Sequence, residues 1–265
     1  MCLLLFAQGV SPDFPLLVAA NRDEFHSREA APACWWDKPR ILAGRDRLAG
    51  GTWLGIGADG RFAALTNFRD PSQAPSNGPS RGRLVVDALT FPGSPWQRLD
   101  SLKIGADRFS GFNLVFGDST QLIYLTNQNG RGQRVESGIH GLSNGYLNAA
   151  WPKVLWGKAR LRDLLDRAGP PSVEELFALL SDRSQPADAA LPDTGVGVEW
   201  ERLLAPLFIV SPTYGTRCST VALFGAGGNV MFAERTFSPD GEERETRTFR
   251  FHIAPPASTR GPDPG

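Results

Sequence analysis

MCLLLFAQGVSPDFPLLVAANRDEF, residues 1–25, sets two short apolar runs on either side of a turn. Residues 3–7 and 16–20 are separated by Gly9, Ser11, Pro12 and Asp13, the punctuation of a hairpin. Antiparallel strands return the chain to its origin, so the chain start and the quartet Asn21-Arg22-Asp23-Glu24 fall at the same end of the pair. A cysteine at position 2 thereby becomes a neighbour of Arg22 and Asp23. The opening lacks a basic n-region and its apolar run breaks at Gln8 and Gly9, so it reads as a strand and not as a signal peptide.

Outward from this hairpin the strand signals continue. Residues 52–56 and 61–67 flank Ala58-Asp59-Gly60-Arg61, where the Asp-Gly pair suits a tight turn with positive φ. Residues 112–117 and 121–127 form a third hairpin, which 133–141 extends. Four more strand candidates lie at 207–210, 220–224, 230–234 and 246–253. Helical patterns occupy 84–91 and 153–168; in the latter Val154, Leu161, Leu165 and Ala168 share a face while Lys158, Arg160, Arg162 and Arg167 are solvated. Ser172 and Glu175 have capping-box spacing for a further helix through Leu180. Residues 25–49, 69–81 and 183–200 read as loops. Two runs of strands separated by helices predict an α+β fold with two packed sheets under helical cover. One domain is expected over 1–253. The tail 254–265 is too rich in proline, glycine and small polar residues to bury apolar area, and is expected to be disordered.

The charge balance narrows the partners. Lys and Arg number 28 and Asp and Glu number 28, so the chain has no basic surplus with which to bind nucleic acid. No stretch approaches the roughly 20 apolar residues of a membrane helix. Cys2, Cys34 and Cys218 are odd in number and lack CxxC spacing, which argues against a disulfide framework and fits a reducing cytoplasm. His26, His140 and His252 are scattered, so no metal site is expected.

Cys2 carries the strongest chemical signal. Removal of Met1 before a small second residue would leave an α-amine and a thiol on one residue. A free α-amine has a pKa near ~8 and is able to accept the thiol proton, so the site needs no histidine. Arg22 favours the thiolate and Asp23 orients the amine. Asn67, at the end of its strand, and Asn144, before a turn, are candidate donors for an oxyanion. Arg217 could clamp a substrate anion. Each has an ordinary use when taken alone: Cys2 as a small apolar strand residue, the asparagines as turn formers, Arg217 as a surface arginine. Trp35, Trp36, Trp53 and Phe68 could line an apolar ligand pocket or cover the core.

Met1-Cys2, Ala20-Asn21-Arg22-Asp23-Glu24-Phe25, Gly50-Gly51-Thr52-Trp53-Leu54-Gly55, Ala64-Leu65-Thr66-Asn67, Gly111-Phe112-Asn113-Leu114, Gly141-Leu142-Ser143-Asn144, Tyr214-Gly215-Thr216-Arg217 and Glu245-Thr246-Arg247 occur in the order seen in the NRDE family, also called the transport and Golgi organisation protein two family. The resemblance covers nearly the whole chain except the tail. It implies an amino-terminal-nucleophile (Ntn) hydrolase fold, an αββα sandwich of two stacked antiparallel sheets between helical layers. It also implies links to Golgi organisation, haem trafficking and acyl-CoA or lipid handling, without a settled substrate.

A weaker likeness extends to bile salt hydrolase and penicillin V acylase. On that pattern Cys2 resembles the nucleophile, Arg22 and Asp23 its flanking pair, Asn67 and Asn144 the oxyanion donors, and Arg217 the distal arginine. That group carries Arg-Asn-x-Asp where this chain has Asn21-Arg22-Asp23-Glu24, so Glu24 competes with Asp23 for the carboxylate role. The expected activity is a cysteine amidohydrolase acting on a linear non-peptide amide without a cofactor. The alternative is a non-catalytic carrier of haem or of an acyl-lipid ligand, for which Cys2 is an available haem ligand.

Overall fold

The computed structural model describes residues 2–72 and 78–253. Its strands are β1 (Cys2–Gln8), β2 (Leu16–Phe25), β3 (Ala30–Trp35), β4 (Ile41–Asp46), β5 (Leu54–Gly57), β6 (Phe62–Asn67), β7 (Phe112–Gly117), β8 (Leu122–Thr126), β9 (Gly132–Arg134), β10 (Gly138–Leu142), β11 (Tyr214–Phe224), β12 (Asn229–Phe237) and β13 (Glu243–His252). The helices are α1 (Gly82–Thr90), α2 (Pro95–Lys103), α3 (Pro152–Leu165), α4 (Val173–Leu180) and α5 (Val198–Leu204). One sheet has six strands in the order β10-β1-β2-β11-β12-β13, and the other has seven in the order β3-β4-β5-β6-β7-β8-β9. Every pairing is antiparallel.

Period-two alternation explains the layering. Successive residues of β1 point to opposite faces, yet residues 2–8 are all buried, so both faces of the strand must be covered. Leu4 and Phe6 pack with Val18, Ile56, Phe62 and Val115 between the two sheets. Leu3 and Leu5 pack on the other face against Leu161 of α3 and Leu176 and Leu180 of α4. The second sheet turns Ala63, Leu114 and Ile123 toward Leu84 of α1 and Leu99 of α2. The result is the predicted αββα order, in which each fully buried Leu or Phe contributes roughly 1.5–3 kcal/mol. Gly157 lets α3 close on β1, because a Cβ there would stand 2.7 Å from Leu5 Cδ1. No helix among the described residues is long and apolar enough to cross a membrane.

Several sequence expectations hold in the structure. Gly60 has φ +86° in the Asp-Gly turn, and the Gly57 N–H donates to Arg61 O at 2.8 Å. Ser172 and Glu175 form the reciprocal capping box of α4. Others need correction. Residues 25–49 are not a long connection, since they hold β3 and β4. Pro32 and a bulge between Ala31 and Cys34 break the alternation of β3, as an edge strand tolerates, and the Ala33 N–H thus freed donates to Glu234 Oε1 at 2.6 Å in the facing sheet.

Residues 133–141 do not simply extend the third hairpin. β9 stays with β8, while β10 crosses to pair with β1. Residues 207–210 form no strand; the Phe208 N–H donates to Asp182 O, and Ile209 exchanges hydrogen bonds with Thr216 through that residue's backbone N–H and its hydroxyl. β11 begins at Tyr214, six residues earlier than 220, so Arg217 lies inside a strand and not before one. α2 and α5 occupy stretches that had shown no helical pattern. The tail 254–265 lies outside the described residues.

Candidate active site

Strand register builds the site. Cys2 pairs with Arg22, Arg22 with Cys218, Cys218 with Thr236 and Thr236 with Glu245, which forms one row across β1, β2, β11, β12 and β13. All five residues line a cavity of ≈ 530 Å³. Trp53 and Asn67 line it from the second sheet, and Arg81 at the start of α1 closes another side. Cross-strand neighbours have Cβ atoms about 4.5–5.5 Å apart, so the Arg22 side chain leaves its strand beside the Cys2 sulfur.

Cys2 is buried, and its carbonyl accepts a hydrogen bond from Ser143 Oγ at 3.1 Å. Burial pushes its thiol pKa up, the positive amino terminus and Arg22 oppose that rise, and the backbone N–H of Asp23 donates toward the sulfur. Burial therefore favours the protonated thiol over the thiolate. Arg22 is buried; its Nη2 is 3.8 Å from Glu24 Oε2, and its Nη1 has no hydrogen-bond partner among the described residues. Asp23 is buried and accepts from Thr216 Oγ1 at 2.8 Å. Burial pushes the Asp23 carboxyl up, and Lys153 is the strongest opposing charge. Glu24 is half-buried and lies 3.8 Å from both Arg22 and Arg28. Asp23 thus interacts electrostatically with Cys2, whereas Glu24 sits in an arginine cluster.

Asn67 lines the cavity, and its side-chain amide has no hydrogen-bond partner among the described residues. Asn144 does not line it. Its Nδ2 donates to the Asn67 carbonyl at 2.8 Å and its Oδ1 accepts from Ser143 Oγ, so it positions Asn67 and braces the residue that holds Cys2. Arg217 is the bulged residue between Thr216 and Cys218. Its Nη1 donates to the carbonyls of Phe25, His26 and Arg28 at 3.0–3.2 Å, which fixes the turn after β2. Five of the six candidates, Cys2, Arg22, Asp23, Asn67 and Arg217, therefore share one cavity.

Of the four aromatic candidates only Trp53 lines the cavity. Trp36 packs under α1 with Nε1 donating to Ala43 O, Trp35 meets Phe251 edge to face, and Phe68 meets Tyr146 in the same way. Each histidine is held by a backbone carbonyl, His26 by Ser211, His140 by Glu136 and His252 by Gly227, and none lines the cavity. Among the described residues no group of three metal-ligating side chains occurs.

The roles of six residues escape a reading of the sequence. Lys153, in the first turn of α3, is 2% exposed, and its Nζ has no hydrogen-bond partner among the described residues. A cation in a helix's first turn opposes the helix dipole, which is the one readable sign that this lysine serves something else. Arg69 and Glu201 form a buried ion pair of 2.6 Å beside it. Cys218 hydrogen-bonds to Glu234, whose carboxyl is pushed up by burial. β2 separates Cys2 from Cys218, about 10 Å at ordinary strand spacing and too far for a disulfide. Arg81 senses the Cys2 charge, and its Nη1 donates to Gly111 O at 2.9 Å.

The two-sheet, four-layer sandwich is mirrored in a solved structure. A mutant conjugated bile acid hydrolase from Clostridium perfringens superposes with a TM-score of 0.52 at 11% identity, covering 96% of this chain and 98% of that one. The fold is that of the Ntn hydrolases. Closer in sequence, the Transport and Golgi organization protein 2 homolog of Homo sapiens is 33% identical over 278 residues, covering 96% of this chain and 99% of the relative. Transport and Golgi organization protein 2 of Drosophila melanogaster is 27% identical over 93% and 96% of the two chains. Since residues 1–239 also match the family described as Transport and Golgi organisation 2, the chain belongs to that family.

Proposed function

We propose that this protein is a cysteine amidohydrolase acting on a linear, non-peptide amide. The observation that carries the reading is the register row that brings Cys2 and Arg22 side by side into one cavity that Asn67 also lines. Once Met1 is removed, the α-amine of Cys2 takes the proton from Sγ as the sulfur attacks the amide carbonyl. The carbonyl oxygen becomes an oxyanion, for which Asn67 Nδ2 is the available donor. Collapse breaks the C–N bond, and the ammonium returns the proton to the leaving nitrogen. A water deprotonated by the same amine then attacks the thioester, releasing a carboxylic acid and the free thiol.

Asp23 has the supporting role of holding the ammonium form of the chain start. Arg22 offsets the burial that disfavours the thiolate. The unpaired Cys2, Cys34 and Cys218 suit work in a reducing compartment such as the cytoplasm. As a carrier of haem, the same cavity would offer two buried thiols, Cys2 and Cys218, and among the described residues no lining histidine, methionine or tyrosine as axial ligand.

The test is a panel of linear amides with the purified protein and its Cys2→Ala variant. Turnover abolished by Cys2→Ala supports the hydrolase. Absence of turnover together with tight haem or acyl-CoA binding that survives the substitution favours the carrier.

A further inference from the structure

Six arginines line the cavity: Arg22, Arg28, Arg45, Arg81, Arg217 and Arg244. Its carboxylates do not neutralise them. Arg28 is committed to Asp46 at 2.7 Å and shares Glu24, while Glu245 pairs with Arg247, which lies outside the lining. Asp23 and Glu234 are buried, and each is already engaged by the protein, Asp23 accepting from Thr216 Oγ1 and Glu234 from the Ala33 N–H. Among the described residues, Arg81 and Arg217 have no carboxylate at ion-pair distance, feel the charge of only one carboxylate, Glu24, and donate to backbone carbonyls.

Arg22 is the sharper case. Its side chain is 9% exposed, its nearest carboxylate is 3.8 Å away, and Nη1 is buried without a hydrogen-bond partner among the described residues. An unmade hydrogen bond on a buried guanidinium is costly, and a bound acceptor would relieve it. Arg22 pairs with Cys2 across β1 and β2 and its charge acts on the thiol, while Arg81 lines the same cavity and feels the charge of Cys2. The cationic surplus is therefore centred beside the sulfur. We propose that the ligand of this cavity carries an anionic group, a carboxylate or a phosphate, seated between Arg22 and Arg81 next to Cys2, so that the amide it hydrolyses is an acidic one. The inference rests on this cavity being the substrate site.

Two thiol reagents that differ in charge test it whatever the identity of the ligand. Iodoacetate and neutral iodoacetamide alkylate the intact protein, and peptide mass mapping gives separate rates at Cys2 and at the exposed Cys34, which serves as the internal reference. The iodoacetate-to-iodoacetamide rate ratio is expected to be about 10- to 100-fold higher at Cys2 than at Cys34, and to fall with added salt. Arg81→Gln should bring the two ratios together, and Arg81→Lys should restore part of the difference. Protection of Cys2 from iodoacetamide by inorganic phosphate but not acetate assigns the anion as a phosphate, and the reverse assigns a carboxylate.

Equal ratios at the two cysteines overturn the proposal. So does failure of both reagents at Cys2, because a cavity closed to iodoacetate admits no substrate anion there. Charge preference without turnover of any amide keeps the anion site and removes the hydrolase; turnover without charge preference does the converse.

Discussion

Replacing Lys153 by methionine isolates the energetic cost of the lysine buried behind the site. Burial pushes its pKa down from 10.5 to about 8 even though Asp23 attracts the charge. That fall corresponds to roughly 3 kcal/mol by which the fold disfavours the protonated amine, with the attraction of Asp23 already included. Below about pH 8 both the folded and the unfolded chain carry the proton, and the cost is fully present. Between about pH 8 and 10.5 the unfolded chain binds more protons than the folded one, so the contribution of this group to stability rises with pH; above 10.5 the cost is gone.

Methionine keeps the apolar stem and removes the charge. In urea unfolding, Lys153→Met is expected to be more stable than the parent by about 3 kcal/mol at pH 7 and by roughly half as much at pH 9.5. The same variant should lose turnover, because the strongest charge opposing the burial of Asp23 is gone. A gain in stability paired with a loss of activity is the signature of a group retained for function. A stability difference that stays constant between pH 7 and 9.5 would mean that the Lys153 amine pays no such burial cost.

Asn67→Ala is expected to lower kcat about 100- to 1,000-fold with little change in KM, since an oxyanion donor acts in the transition state; steady-state kinetics on any amide the protein turns over would check this. Asn144→Ala should instead destabilise by about 1–3 kcal/mol in denaturant unfolding, because the part-buried carbonyl of Asn67 loses its side-chain donor and the buried Ser143 hydroxyl keeps only the Cys2 carbonyl as acceptor. Arg69→Met leaves Glu201 buried and unpaired and should cost about 3–5 kcal/mol, while the double replacement Arg69→Met with Glu201→Leu should recover most of that loss in the same assay.

The parts of this molecule that are readable in sequence are those in which local pattern and tertiary environment agree. The β1–β2 hairpin is legible because two apolar runs bracket a turn, and its antiparallel return alone predicts that Cys2 and Arg22 meet. The β5–β6 turn and the cap of α4 are legible for the same reason, each being set by residues a few positions apart. β3 escapes because Pro32 and its bulge hide the alternation, and the hydrogen bond that rationalises the bulge comes from Glu234, two hundred residues away. α2 carries a readable signal, since Ser94 and Gln97 form a capping box with Pro95 at the first helical position, yet only three of its nine residues are buried and its apolar pattern is weak.

Within the site, side-chain chemistry identifies Cys2, Arg22, Asp23 and Asn67 as cavity residues. It does not reveal that Asn144 spends its amide on the Asn67 carbonyl, or that Arg217 turns its guanidinium onto three carbonyls of the turn after β2. Those roles depend on which strand end approaches which loop, and that is fixed by packing between the two sheets. Lys153 illustrates the same limit: its helix is predicted, but its burial follows from α3 packing on β1 and β10, within reach of the charge of Asp23 on the neighbouring β2.

Brief exposure of the purified protein to an activated acyl ester, followed by intact-mass measurement and peptide mapping, asks whether Cys2 is the nucleophile. The expected product is a single acyl group, labile to hydroxylamine, on a peptide that begins at Cys2 with Met1 absent. An acyl group located elsewhere, or an amide-hydrolysing protein whose Met1 is fully retained, would contradict an amino-terminal thiol nucleophile.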